Sequence, residues 1–243
     1  MKRYVKIASV LVVVGSVMLT TSALAQYYSP SPPTFPTGWY IGPPQPFTFE
    51  SPALTQAGIA SIYLSSLVHT PAYVPLTSYY DGAGNWVETF NSTLTGTATI
   101  NLLVGGPIVG TLSAGGATPV TVTTPGNSPP GGAVGNWPGQ SMTILNWPAT
   151  VTYGTNHISI WIECSNAPGE SEIKLAPPGS GVPAGWYEAD SFFDVWPEIS
   201  LDDSLWTYSD QSGDMTLVPE PSSLALLGLG VLCLAIKTRR GPK

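Results

Sequence analysis

Residues 93–104 read TLTGTATINLLV. In an extended chain Ala98, Ile100, Leu102 and Val104 fall on one face and Thr97, Thr99, Asn101 and Leu103 on the other, the two-residue period of a half-buried strand. Shorter Thr/Val/Ile runs repeat the theme at 119–124, 141–147 and 149–153, and residues 157–163 line up Ile158, Ile160 and Ile162. The connectors carry turn chemistry: 81–85 (DGAGN), 105–107 (GGP), Gly115-Gly116 and the longer 125–139, which is expected as a surface loop. Many short strands between Gly/Pro turns read as an antiparallel sandwich or barrel. The expectation is an all-β domain over 51–217, an antiparallel β-sandwich of jelly-roll type. Residues 51–68 fit either period and are read as strand, and 215–218 as a linker.

Composition supports this reading. Of 243 residues only 9% are charged and 43% are apolar, with 26 Gly and 25 Pro. Helical bundles and coiled coils need Ala, Glu, Lys, Leu and Arg in quantity and are excluded. Residues 26–50 hold Pro30, Pro32, Pro33, Pro36, Pro43, Pro44 and Pro46, and are expected as an extended leader.

Both ends read as addresses. In residues 1–25, Lys2, Arg3 and Lys6 precede an apolar stretch, and Ala23 and Ala25 flank Leu24 in a small-x-small cleavage site, the pattern of a secretory signal helix. At the other end, 218–243, Pro219-Glu220-Pro221 comes first. An apolar run follows, with Leu224, Leu226, Leu227, Leu229, Val231, Leu232, Leu234 and Ile236, and then the basic end Lys237, Arg239, Arg240 and Lys243. A short apolar helix with a cationic end inserts in a membrane and holds its terminus on the cytoplasmic side.

Those three features in order resemble the PEP-CTERM sorting signal of Gram-negative bacteria. The resemblance covers the tail alone and leaves the rest of the fold open. It implies recognition by exosortase, a membrane-embedded cysteine protease, and removal of the tail during export through the secretion machinery. It further implies a protein of the cell surface or extracellular matrix, associated with exopolysaccharide and biofilm, and transiently anchored in the inner membrane by the C-terminal helix.

Removing both ends leaves Lys174 as the single base against every acid but Glu220. So acidic a portion repels nucleic acid and anionic lipid, and nucleic-acid binding is excluded. One cysteine, Cys164, remains; it has no internal partner and is expected to be buried.

Candidate sites were weighed on residue type. Acids and aromatics interleave from 188 to 214, and Asp202, Asp203, Asp210 and Asp214 are the candidates for calcium, which takes six to eight oxygens from acid-bearing loops. Solvated acids on open strand faces are the plainer reading, so no cofactor is expected. A glycosidase carboxylate pair is not identifiable from spacing. His69 and His157 show no metal-ligand spacing, and neither a serine-hydrolase elbow nor a phosphate loop occurs. Eight Trp lie in the exported region. Trp86 follows the 81–85 turn and Trp137 lies in the 125–139 segment, which makes these two the candidate platforms for a sugar ring. The leading expectation is a non-enzymatic exported protein. The alternatives are a lectin-like carbohydrate-binding module and, behind it, a secreted glycan-active enzyme.

Overall fold

The computed structural model describes residues 27–29, 38–72, 75–125, 134–176 and 184–218. The signal helix expected over 1–25 and the hydrophobic helix expected in 218–243 lie outside them, apart from Val218.

The described residues form one antiparallel sheet of thirteen strands. In chain order they are β1 (Tyr27–Ser29), β2 (Trp39–Ile41), β3 (Phe47–Phe49), β4 (Ile59–Pro71), β5 (Thr77–Tyr80), β6 (Trp86–Leu102), β7 (Ile108–Thr124), β8 (Gly135–Tyr153), β9 (Asn156–Leu175), β10 (Tyr187–Val195), β11 (Glu198–Ser200), β12 (Trp206–Tyr208) and β13 (Gly213–Val218). One short helix, α1 (Pro52–Gln56), precedes β4, with Ser51 capping it by accepting from the Leu54 amide. Within 51–68, strand therefore begins only at Ile59.

The pairings run β10-β13-β2-β4-β6-β7-β8-β9, and β9 pairs again with β10. The path of pairings thus closes on itself, which reduces the open edge of these strands. The expected all-β, antiparallel fold is present, its strands joined by hydrogen bonding into one large sheet. The decisive stretch behaves as its alternation demands: Leu94, Ala98 and Ile100 are buried inside. Val104 is 88% exposed, because β6 ends at Leu102 and the chain turns at Gly105 with φ 109°.

The long strands bend where they lose register. The 141–147 and 149–153 runs belong to one strand, β8, which slips against β9 between Ile144 and Trp147. Asn146 sits there at φ 48°, and Asn166 in β9 at φ 57°. Asparagine tolerates this left-handed geometry better than most residues, so the strands curve without breaking.

The core lies inside the ring. Phe49, Ile62, Phe90, Ile100, Leu112, Trp147 and Ile160 are fully buried, each apolar side chain contributing roughly 1.5–3 kcal/mol on removal from water. The leader shares in it, which corrects the boundary expected at residue 50. Tyr40, Phe47 and Phe49 are buried, and Tyr40 Oη donates to Ser191 Oγ at 3.0 Å across the interior. Residues 215–218 are likewise strand rather than linker, with Met215 and Leu217 buried.

Candidate functional site

β13 pairs with β2 through Thr216–Ile41, Leu217–Tyr40 and Val218–Trp39, and with β10 on its other side. Residue 219 is a proline. Having no N–H, a proline cannot donate to a strand ladder. Pro219, Glu220 and Pro221, the apolar run 224–236, the basic end Lys237, Arg239, Arg240 and Lys243, and the cleavage residues Ala23 and Ala25 lie outside the described residues. Among the described residues no helix is long and apolar enough to cross a membrane.

The candidate calcium acids are held in separate local contacts. Asp202 Oδ1 accepts from Ser200 Oγ and from the Ser204 and Leu205 amides. The Ser204 side chain and then these amides bring its carboxyl down to about 2. Asp203 sits at φ 61°; with its side-chain amide turned to present the nitrogen, Asn146 donates to Asp203 Oδ1 at 3.1 Å and to Glu163. Asp210 accepts from the Thr48 amide, and Asp214 faces Asp194 across the β10–β13 ladder. Among the described residues no three or more His, Cys, Asp or Glu gather in a metal-holding group, and the four acids do not form one constellation.

Other polar groups support the fold. Lys174 reaches Glu188 at 3.0 Å, Glu172 at 3.1 Å and Asp190 at 3.8 Å, with Glu188 buried. His69 lies between Tyr40 and Trp147, its ring 5.7 Å from the indole, and neither nitrogen has a hydrogen-bond partner. Burial brings its pKa down to about 4, so it is neutral at physiological pH. His157 pairs with Thr152 at the exposed β8–β9 turn. Cys164 is buried as expected, and burial lifts its thiol to about 11, which keeps it protonated and unreactive.

The two candidate platforms separate. Trp137 is not on a surface loop: it lies in β8 opposite Ser171 and is 7% exposed, so the expectation of a sugar platform there is corrected. Its Gly/Pro surroundings suggested a loop, but β8 starts at Gly135 and turns the indole inward. Trp86 holds the other position. It opens β6, half-buried, directly opposite Tyr80 of β5, with ring centroids 4.9 Å apart at 65°. Two positions on, Glu88 is buried opposite Ser78, whose hydroxyl reaches its carboxyl at 3.5 Å. Burial raises the Glu88 pKa against the opposing pull of Trp86 and Ser78. The turn between the strands is braced by Asp81, which accepts from the Ala83 and Asn85 amides and from Asn85 Nδ2. Hydrogen bonding with Asn85, side chain first, lowers the Asp81 pKa. Sequence reading found Trp86 but missed Tyr80, because only the pairing of β5 with β6 brings the two rings together.

The family model of the PEP-CTERM protein-sorting motif matches residues 217–240. The chain carries the sorting motif of exosortase substrates, and the match begins at Leu217, overlapping the last two described residues of β13. No curated protein and no solved structure matches the chain.

Proposed function

We propose that this is a non-enzymatic protein exported to the cell surface or extracellular matrix, sorted by exosortase, and associated there with exopolysaccharide. The observation that carries this reading is the match of the sorting motif at residues 217–240, which overlaps the last two described residues of β13. Before processing, the apolar run 224–236 holds the chain in the inner membrane, and the basic end fixes its orientation. Pro219 and Pro221 keep the intervening segment extended, as a protease cleft requires. Cleavage there leaves every described residue of β13 in place. The unreactive, buried Cys164 and the caged, neutral His69 support a packing role for two side chains that elsewhere perform chemistry.

Sorting variants test this. Replacing Lys237, Arg239, Arg240 and Lys243 with Gln is expected to release uncut precursor. Glu220→Gln is expected to leave a membrane-inserted, uncleaved form. Normal processing of both variants in the native host would overturn the reading. A lectin-like role is the second reading, favoured by the partly exposed Tyr80–Trp86 pair at the β5–β6 corner.

A further inference from the structure

We infer that the β5–β6 corner is a binding site for a neutral sugar ring, the Tyr80 and Trp86 rings taking its apolar face and the polar groups of the 81–85 turn its hydroxyls. Tyr80 is 46% exposed although its ring stands 4.9 Å from the indole, so the pair forms a corner with one side open to solvent. Rings at a steep angle offer a pyranose one face to stack on and one edge to rest against, and aromatic surface with a few convergent polar groups is the general form of a small-ligand site.

The corner is rigid. Three hydrogen bonds to the Asp81 carboxylate, at 2.8, 2.9 and 2.9 Å, fix the turn, and the Gly84 amide donates to the Asp81 carbonyl. A preformed turn loses little freedom on binding, which favours affinity. Asn85 gives Nδ2 to Asp81 and keeps its side-chain oxygen as an acceptor, and Ser78 supplies a hydroxyl on the face that Trp86 and Tyr80 share. Glu88 acts through these groups: its buried carboxyl sits under Ser78 and beside the Trp86 indole, and is a positioning residue. Charge narrows the ligand. Lys174 is the only Lys or Arg among the described residues and is engaged with Glu172 and Glu188, while Asp81 borders the corner, so an anionic sugar is disfavoured.

The inference rests on the exported-surface reading only for where a polysaccharide is met. The test is native gel electrophoresis of the full chain in a detergent without a sugar headgroup, through gels containing laminarin, xyloglucan, galactomannan or dextran. At least one of these neutral polysaccharides is expected to retard the protein. Trp86→Ala and Tyr80→Ala should each weaken that retardation at least tenfold in apparent affinity with thermal unfolding unchanged for Tyr80→Ala. Trp196→Ala, which removes a 53% exposed Trp elsewhere, should bind as the parent does. Absence of retardation by all four, unchanged retardation of Tyr80→Ala, or equal loss in Trp196→Ala would overturn the site. C-terminal processing, read separately by mass, is indifferent to these outcomes, so failure of the site and failure of the sorting reading are distinguishable.

Discussion

Val218 pairs with Trp39 across the β13–β2 ladder, so two segments almost the whole described domain apart in sequence lie side by side. Beside this rung Leu217 and Met215 are buried, 6% and 4% exposed. Leu217→Ala is expected to destabilise the domain by about 2–4 kcal/mol, through lost burial and the cavity left behind. Denaturant unfolding measures this; a change under about 0.5 kcal/mol, the range of ordinary surface substitutions, would show β13 to be dispensable.

Lys174 neutralises a buried carboxylate. Glu188 is 2% exposed and lies 3.0 Å from the ammonium. Lys174→Met leaves that carboxylate uncompensated, and a loss of about 1–2 kcal/mol is expected, below the fully buried case because Lys174 itself is partly in solvent. Adding Glu188→Gln should recover most of the loss. A double-mutant cycle by thermal unfolding reads the coupling, and additive effects would contradict it.

His69 makes stability fall in acid. The unfolded chain takes up its proton near 6.5, whereas the folded chain does so only at about 4. Stability present above pH 6.5 is therefore lost as pH falls towards 4, by roughly 3 kcal/mol in all, and this group adds nothing further below that. His69→Leu should flatten the pH dependence of the unfolding midpoint across this window. An unchanged slope would show that His69 does not carry it.

Glu88 acts in the opposite sense. Burial raises its pKa, so ionised Glu88 weighs on the fold at neutral pH and protonated Glu88 does not. Glu88→Gln should raise the unfolding midpoint at pH 7, and the difference should close below the ordinary glutamate value of 4.5. A lower midpoint at pH 7 would mean that the carboxylate itself is required.

The features legible in the sequence were those with a local cause. Alternation in 93–104 and 157–163 marked β6 and β9, and the tail showed its three parts in order. Features set by distant contacts were not legible. The prolines of 26–50 argued for a leader, yet Tyr40, Phe47 and Phe49 are core residues because β2 and β3 pair with β4. The 141–147 and 149–153 runs looked like two strands because Asn146 and Pro148 interrupt the alternation; the structure carries the chain through as one bent strand. Trp137 looked exposed for the company it keeps in sequence, and its burial depends on β9 lying alongside. Tyr80 had no signal of its own, since its meaning comes from the ring across the ladder.

Residues 219 onward are expected to act as a signal that is removed during export. Intact-mass measurement of the surface-associated protein from its native host tests it most directly. The account predicts a C-terminus at or close to Pro219-Glu220-Pro221, with the whole of β13 retained. A surface form that still ends at Lys243 would contradict it and make the tail an ordinary anchor.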